Sequence, residues 1–330
     1  MTVELPGFFD LQVNGFAGVD FNDPEISGEA IAEALERQRA TGVTRCLPTL
    51  ITSSLEEFTA CARAVAASQH PAVAGIHMEG PYISPEDGAR GAHRRAHVVP
   101  ASIDDFNRRQ DVCRGGIRLV TLAPEVPGAI TLIERLVDGG VRVAIGHTAA
   151  SPAQIGDAVK AGATLATHLG NGCAQMLPRH PNVIWELLAA DEIHASLIVD
   201  GHHLPPSTVK AMMRAKSLAR TILVTDAIAA AGCPPGTFAI GEVTCEVSED
   251  GRVSLPGTPY LAGSALTMDK AVENSVRFAG VTLEEAAAMA SSNPAQFVGL
   301  ETVGTVTAEW SVERLELRVL TSTDGYSSKG

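Results

Sequence analysis

The chain has 330 residues, 45% of them hydrophobic and 19% charged, which allows a large buried core and excludes an intrinsically disordered protein. Its formal net charge of −13 disfavours nucleic acid as a partner. No apolar run is long enough to span a membrane, the start MTVELPGFFD lacks a signal peptide, and the six cysteines form no CxxC pair. We therefore expect a cytoplasmic protein with no membrane partner.

Apolar runs alternate along the chain with amphipathic stretches, which is the pattern of parallel strands joined by helices. Eight strands are predicted, over residues 7–13, 43–47, 72–78, 117–122, 141–146, 165–167, 195–199 and 221–225. Helices are predicted over 27–41, from 54, over 129–137, from 151, over 268–279 and over 283–291. This alternation predicts an α/β fold, a (β/α)8 barrel of the TIM type.

The last third of the chain adds two features to this barrel. A β-hairpin is predicted near 238–253, turned where Glu249, Asp250 and Gly251 follow one another. Residues 302–330 alternate weakly and predict a peripheral strand pair with a frayed end. We therefore divide the chain into a barrel of residues 1–300, which includes the hairpin, and a peripheral tail of residues 301–330.

Polar residues stand at the carboxyl ends of most predicted strands, where TIM barrels carry their catalytic groups. They are Gln12, Asn14, Glu79, His147, His168, Asp200, His203 and Asp226. Polar residues scattered at random would not choose the same end of so many strands. This end of the barrel is therefore the predicted active site.

Three of these residues have the chemistry of a catalytic metal site. Glu79, His147 and His168 supply one carboxylate and two imidazoles, and catalytic zinc sites use three protein ligands with one open position. We expect one divalent metal ion, zinc, although iron, manganese or cobalt would fit the same ligands. Asp226 is placed to take a proton from water and to deliver it to a leaving amine.

Each of these residues also has a structural interpretation. A histidine in an apolar stretch is often a hydrogen-bonded core residue. His77 is assigned to packing because it faces the opposite way from the strand end. Glu79 could be a helix-cap or salt-bridge residue, and Asp226 could cap the next segment. Because His147 and His168 both stand at strand ends, the metal site is the stronger interpretation.

These residues, with their flanks, resemble the amidohydrolase superfamily, and within it the deacetylases that act on N-acetylglucosamine-6-phosphate. The matching segments are PGFFDLQVNG at 6–15, HMEGPYISPEDGARGAH at 77–93, IGHTAAS at 145–151, THLGNG at 167–172, VDGHH at 199–203, LVTDAIAAAG at 223–232, LAGSALTM at 261–268 and SSNPA at 291–295. Together they span nearly the whole chain in the order of the family.

The resemblance implies hydrolysis of an N-acetyl amide, which gives glucosamine-6-phosphate and acetate. It implies that Glu79, His147 and His168 hold the metal, that Asp226 is the general base and then acid, and that His93 polarises the amide carbonyl. The implied substrate-binding residues are Asn171, Gly172, Arg179 and His203 at the phosphate, together with Gln12 and Asn14. Because amides are poor metal ligands, this QxN pair implies one metal per subunit. In the family a neighbouring subunit contributes near the phosphate, so a homodimer is expected.

The sequence also departs from the family pattern. The loop SPEDGARGAH is acidic and lacks the usual lysine pair, which weakens the case for a phosphorylated substrate. Gly170 and Gly172 replace bulkier residues, which implies a wider pocket. The small β-sandwich of the family is expected to be absent or much reduced. Two alternatives therefore stay open: the same chemistry on another N-acyl or cyclic amide, and a barrel that binds a sugar phosphate without turnover. Whether Arg179 faces the pocket distinguishes the first of these.

Overall fold

A computed structural model describes residues 1–240, 243–254, 256–257, 261–323 and 325. The strands are β1 (Thr2–Pro6), β2 (Phe8–Val13), β3 (Gly15–Phe16), β4 (Val19–Asp20), β5 (Val43–Ile51), β6 (Ile76–Glu79), β7 (Ile117–Leu122), β8 (Arg142–Ile145), β9 (Leu165–Ala166), β10 (His194–Leu197), β11 (Thr221–Leu223), β12 (Gly236–Ile240), β13 (Val243–Val247), β14 (Val253–Ser254), β15 (Thr305–Ser311) and β16 (Glu316–Thr323). The helices are α1 (Gly28–Arg39), α2 (Leu55–Ser68), α3 (Ile103–Val112), α4 (Ala129–Asp138), α5 (Pro152–Lys160), α6 (Val183–Ala189), α7 (Pro206–Lys216), α8 (Met268–Ala279), α9 (Leu283–Ala290) and α10 (Ser292–Phe297).

Eight parallel strands form a nearly closed barrel, and they are the eight strands that the sequence predicts. Their order is β2, β5, β6, β7, β8, β9, β10 and β11, so strands that follow one another along this path lie side by side. The seam between β2 and β11 is bridged at and just beyond the strand ends, where the Asn14 amide donates to Ala227 O at 2.7 Å and the Asp226 amide donates to Gln12 O at 2.9 Å. The predicted TIM-type barrel is confirmed.

Local sequence explains where the helices begin. Ser27 accepts a hydrogen bond from the Ala30 amide at the start of α1. Ser54 with Glu57, and Ser151 with Gln154, form reciprocal capping boxes at α2 and α5. The sequence does not predict α3, α6, α7 or α10. In α3 the only buried residues are Phe106 and Arg109, so its apolar periodicity is weak.

Two boundaries of the barrel strands differ from the prediction by four residues, while the others agree within two residues. β5 continues to Ile51, beyond the predicted end at 47, because Pro48 lies within the strand instead of ending it. Proline supplies no amide donor, and it is normally confined to strand edges. The third barrel strand begins at Ile76 and not at 72, and Glu79 is its last residue. Both corrections shift a strand end towards the face that carries the polar residues.

A second, antiparallel sheet joins the two ends of the described chain. β1 pairs with β15, and β15 pairs with β16. The predicted strand pair of the tail is therefore present, with a third strand from residues 2–6 that the sequence does not predict. The predicted frayed end falls on residues 324 and 326–330, which lie outside the described residues. The division at residue 300 stays a prediction.

The predicted hairpin is part of a three-stranded antiparallel sheet. β13 pairs with β14 across a turn in which the Gly251 amide donates to Ser248 O, as predicted from Glu249-Asp250-Gly251. β12 pairs with β13 on the other side. Residues 241–242 of the predicted hairpin lie outside the described residues. Within the part of the chain that the structure describes, no helix has the length and apolar character needed to cross a membrane.

Candidate metal centre and active site

The predicted site residues lie at one end of the barrel. Glu79 is the last residue of β6, while His147, His168 and Asp226 follow the ends of β8, β9 and β11 within three residues. The backbone φ angles of those last three are 50°, 31° and 48°. Non-glycine residues rarely adopt this left-handed region, which costs about 1–3 kcal/mol per residue. Strain of this kind clusters at functional sites.

Glu79, His147 and His168 converge on one point, and all three are buried. Glu79 Oε1 lies 3.3 Å from His147 Nε2 and 3.2 Å from His168 Nε2. The two histidine Nε2 atoms are 3.0 Å apart. Two donors that each lie 2.0–2.1 Å from one zinc ion at the tetrahedral angle would be about 3.3 Å apart. The spacing of these three atoms therefore fits one shared metal ion.

The hydrogen bonding of His147 supports the same interpretation. His147 Nδ1 lies 3.0 Å from the carbonyl oxygen of Ala89, which can only accept, so Nδ1 carries the proton. The neutral ring then presents a lone pair at Nε2, facing the carboxylate of Glu79. Such a convergence of acceptors in a buried space calls for a cation, and metal-bound histidines commonly donate their second N–H to a carbonyl. The Ala89 carbonyl belongs to the acidic loop that departs from the family pattern.

The surroundings shift the pKa values of the two carboxylates of the site in opposite directions. Burial opposes ionisation of Glu79, but the adjacent imidazoles of His147 and His168 outweigh burial and hold the pKa of Glu79 well below its usual range. Burial, followed by the negative charge of Glu79, raises the pKa of Asp226. A buried carboxylate with a raised pKa accepts a proton more readily than an exposed one, which suits a group that takes a proton from water.

Gln12 and Asn14 hold these carboxylates. Gln12 Nε2 donates to Glu79 Oε1 at 2.8 Å and to Asp226 Oδ1 at 3.0 Å. Asn14 Nδ2 donates to the same Asp226 oxygen at 2.7 Å. Both donors point at Asp226 Oδ1, so Asp226 Oδ2 is the oxygen left for proton transfer. The predicted contact of Gln12 and Asn14 with substrate stays a prediction.

His93 lies beside the three metal-binding side chains. It is buried, and its Nε2 lies 3.2 Å from His147 Nε2 and 3.8 Å from Glu79 Oε2. Its Nδ1 lies 2.8 Å from the hydroxyl oxygen of Thr52. Burial, and then the neighbouring His147, lowers the pKa of His93 to about 3, so the ring is neutral.

The loop after β9 packs against the histidines. Gly172 has a φ of 57°, and a Cβ added to it would stand 3.0 Å from His168 Cε1 and 3.1 Å from His147 Nδ1. Only glycine therefore leaves both rings undisturbed at this position. Asn171 donates from its backbone amide and from Nδ2 to the carbonyl oxygen of His168, at 3.0 and 3.2 Å. The close approach of Gly172 to the two imidazole rings explains why the second glycine of the GNG segment is required.

Two predicted phosphate-binding residues have different surroundings. His203 Nδ1 lies 2.6 Å from Asp200 Oδ2, and Asp200 Oδ1 accepts from the His202 and His203 amides at 2.8 Å. The charge of His203 acts on the pKa of Asp226, so this residue lies near the site. Arg179 is exposed, in the loop before the cis His180–Pro181 bond. The roles of both residues stay predictions.

Sequence reasoning missed Thr52, which contacts His93. The rule that found the other residues would have found it, because Thr52 directly follows β5. The sequence predicts that this strand ends at residue 47, directly before Pro48, so it does not place Thr52 at a strand end. His77, assigned to packing, is buried inside the barrel, where its Nε2 lies 2.7 Å from Thr121 Oγ1 and its Nδ1 lies 3.1 Å from Leu11 O.

Comparison with known proteins extends this geometry. Residues 3–310 match the family model described as the amidohydrolase family. The chain is 38% identical to N-acetylglucosamine-6-phosphate deacetylase of Bos taurus, over 90% of this chain and 74% of the relative. It is 34% identical to N-acetylgalactosamine-6-phosphate deacetylase of Shewanella sp. (strain ANA-3), over 93% and 78%. A structure of a variant N-acetyl-D-glucosamine-6-phosphate deacetylase from Mycobacterium smegmatis, in complex with N-acetyl-D-glucosamine-6-phosphate, superposes with a TM-score of 0.86. It is 30% identical, with 97% of this chain and 86% of that chain covered.

Proposed function

The chain belongs to the amidohydrolase family, and we propose that it hydrolyses the N-acetyl amide of N-acetylglucosamine-6-phosphate to glucosamine-6-phosphate and acetate. The observation that carries this proposal is the buried cluster of Glu79, His147 and His168, whose ligand atoms lie within 4.8 Å of one another. Asp226 is joined to this cluster through the amide of Gln12. A metal-dependent hydrolase that acts on an amide needs these two parts, a metal and a proton carrier, side by side.

Amidohydrolases depend on a metal, and Glu79, His147 and His168 would hold it. The metal, when bound, polarises the amide carbonyl and lowers the pKa of its water. We propose one divalent ion per subunit and zinc as its identity, because one carboxylate and two imidazoles suit zinc; iron, manganese and cobalt are the alternatives. The single ion is supported by Gln12, since its amide nitrogen faces the carboxylates and offers no lone pair there.

Asp226 moves the proton in the proposed reaction. Its Oδ1 already accepts two N–H groups, so its Oδ2 would take the proton of the attacking water. The same oxygen would return the proton to the amine nitrogen as the C–N bond breaks. The raised pKa of Asp226 supports this role, because it makes the carboxylate a stronger proton acceptor than an ordinary aspartate.

His93 would stabilise the negative charge that develops on the amide oxygen. Its Nε2 faces the same space as His147 Nε2, at 3.2 Å. A neutral imidazole that donates from Nε2 acts as an oxyanion-hole donor. Because His93 is buried, this donor needs no reorganisation when the charge appears.

The phosphate end of the substrate would be held by Asn171, the Gly172 backbone, Arg179 and His203. The proposed position of His203 is supported by Asp200, whose Oδ2 lies 2.6 Å from His203 Nδ1 and holds the ring in place. We further propose that the protein is a cytoplasmic homodimer. The loop that carries Arg179 also exposes Met176 (90%), and Trp185 of the following helix α6 is 53% exposed. Such an apolar surface fits a second subunit. Light scattering measures this state directly.

A second candidate substrate is the galactosamine epimer. N-acetylgalactosamine-6-phosphate deacetylases are 34% and 35% identical to this chain, close to the glucosamine relatives. The acidic loop adds a reason to test unphosphorylated or other N-acyl substrates, because its Arg90 is already paired with Asp87 at 2.5 Å. A barrel that binds the sugar phosphate without turnover would hold ligand and release no acetate.

The test is acetate release by the zinc-loaded protein from N-acetylglucosamine-6-phosphate, N-acetylgalactosamine-6-phosphate and unphosphorylated N-acetylglucosamine. We expect turnover of the first, with kcat/KM at least about tenfold above the other two. Asp226→Asn is the inactive control. Equal turnover of the two epimers would widen the substrate to both. Bound metal with no turnover of any of the three would refute the proposed function.

A further inference from the structure

Thr52 contacts a proposed active-site residue without facing the metal-binding atoms itself. It follows the last residue of β5, is 2% exposed, and lies with its hydroxyl oxygen 2.8 Å from His93 Nδ1. The same oxygen is 3.5 Å from the backbone carbonyl oxygen of Glu79. No role for Thr52 follows from the metal site or from Asp226.

The surroundings hold the Thr52 hydroxyl in place. A Cβ added to Gly80 would overlap the Thr52 hydroxyl oxygen, so this side chain occupies space that only glycine leaves open. On its other side, the buried Arg109 donates from Nη2 to Ser53 O at 3.3 Å and from Nε to Asp105 Oδ2 at 2.9 Å. The residue is thus fixed between β6 and α3.

The proposed role of His93 requires one particular tautomer. Its Nε2 faces the site, 3.2 Å from His147 Nε2 and 3.8 Å from Glu79 Oε2. To stabilise an amide oxygen, Nε2 must carry a proton, because a lone pair there would repel the oxygen. A neutral imidazole with a proton on Nε2 has a lone pair on Nδ1, which needs a donor.

Thr52 is the donor in contact with His93 Nδ1. A hydroxyl has one proton, and its possible acceptors here are His93 Nδ1 at 2.8 Å and Glu79 O at 3.5 Å. The shorter contact is the hydrogen bond of normal length, and the longer one is at the limit. A hydroxyl that donated to Glu79 O would instead force the proton onto Nδ1 and leave His93 unable to donate into the site.

We propose that Thr52 is a positioning residue that fixes His93 as its Nε2–H tautomer; this rests on the proposed amide hydrolysis. Its hydroxyl donates to Nδ1, and Nε2–H is then aimed at the amide oxygen. The hydrogen bond that one ring nitrogen makes decides whether the other nitrogen carries the proton. The proposed role therefore belongs to the hydroxyl of Thr52 and not to the size of its side chain.

Variants at Thr52 separate the hydroxyl from its shape. Thr52→Val keeps the shape and removes the donor, and we expect kcat to fall about 10- to 100-fold with KM changed less than about threefold. Thr52→Ser keeps the donor and should retain kcat within about threefold of the parent. Thr44→Val is the matched control, because Thr44 lies on β5 and is as buried as Thr52 but donates to Val303 O, away from the site. The bound metal is counted in every variant and should stay unchanged.

Three results would overturn the proposal. They are unchanged kcat in Thr52→Val, equal losses in Thr52→Val and Thr52→Ser, and loss of metal from Thr52→Val, which would place the effect on Glu79. The tautomer is also read without turnover, from long-range 1H–15N spectra of the zinc-loaded protein, with the His93 ring assigned through His93→Asn. We expect the Nε2–H pattern in the parent. An Nδ1–H pattern refutes the role of Thr52 even if no substrate is found, whereas absent acetate release with an Nε2–H pattern refutes the proposed function alone.

Discussion

Three side chains of the site extend from backbone that is held in the left-handed region: His147, His168 and Asp226. Each is fixed by contacts that do not depend on its own side chain. The His168 amide donates to Ser196 Oγ at 2.7 Å, the Asp226 amide donates to Gln12 O at 2.9 Å, and His147 O accepts from the Ser84 amide at 2.9 Å. Side-chain substitutions here should therefore change the chemistry and leave the barrel folded.

The first prediction separates proton transfer from metal binding. Asp226→Asn keeps both hydrogen bonds to its Oδ1 and should retain the metal, but it cannot take a proton, so kcat should fall by about 10³-fold or more. His168→Ala removes a ligand and should lose the metal. Metal content by elemental analysis and acetate release check both variants. Loss of metal from Asp226→Asn would show that this carboxylate acts as a ligand.

The second prediction concerns Arg179. If this arginine meets the phosphate, Arg179→Ala should raise KM about tenfold for phosphorylated substrate and leave KM for unphosphorylated substrate unchanged. Arg314→Ala is the control, since the Arg314 side chain is 75% exposed in the tail, beside Glu316. Equal effects on both substrates would show that Arg179 does not bind the phosphate. Because Arg179 is exposed, its substitution should leave the fold intact, so a change in KM reports on contact with substrate.

At the residue scale, the sequence predicted the metal-binding set because its members share a visible property. Glu79, His147 and His168 each end an apolar run, and the structure brings them together. It could not predict the contacts of Gln12 with Glu79 and Asp226, since these join residues 67 and 214 positions apart. Hydrogen bonds between distant strands depend on register, which a single sequence does not contain.

At the element scale, the barrel seam between β2 and β11 depends on a buried carboxyl. Asp10 is fully buried and accepts from the backbone amides of Gln12 and Thr225, both at 3.2 Å, and from the Thr225 hydroxyl at 2.5 Å. Burial raises the pKa of Asp10 to about 7. The charged form of Asp10 therefore lowers the stability of the fold, although its hydrogen bonds connect β2 to the residues after β11 and hold the Gln12 backbone.

The third prediction follows from this pKa. Between the unfolded pKa of 3.8 and the folded pKa of about 7, the folded state binds more protons than the unfolded state. The free energy of unfolding of the protein therefore falls as pH rises through that window. The loss at full extent is about 4 kcal/mol. Asp10→Asn mimics the protonated group, so the parent should be increasingly destabilised relative to it from pH 4 to pH 7 in urea unfolding. Asp157→Asn, at an exposed position, should give a difference that does not change with pH. A flat difference for Asp10→Asn would contradict the raised pKa.

The eight barrel strands could be predicted because buried parallel strands are continuous apolar runs bounded by turns. α3 could not, because its single apolar anchor is Phe106 and its other buried residue is an arginine. β1 could not, because five residues that alternate beside a barrel strand carry no sign of their partner, β15. Elements whose burial depends on distant neighbours are the ones that the sequence left out.

At the scale of the whole molecule, one buried carboxylate joins the tail sheet to the barrel. Glu273 on α8 is 2% exposed, and its Oε2 accepts from the Leu317 amide of β16 at 3.1 Å. Lys270 and Arg277 flank it at 2.8 and 3.1 Å. The tail sheet contains both β1 and β16, so this contact bears on both ends of the described chain.

The fourth prediction tests whether the contact between Glu273 and Leu317 joins a separately stable tail sheet to the barrel, or lies within one cooperative unit. Glu273→Ala leaves the buried Leu317 amide without an acceptor and should cost about 1–3 kcal/mol in urea unfolding. Hydrogen exchange should rise in β16 first, with kcat unchanged, because the barrel strands keep their own bonds. Glu309→Ala, which breaks an exposed pair with Arg318 at 3.5 Å, should cost less than about 0.5 kcal/mol. If exchange rose equally in β16 and in the barrel strands, the tail would be part of the barrel's own cooperative unit, and the predicted division at residue 300 would have no thermodynamic meaning.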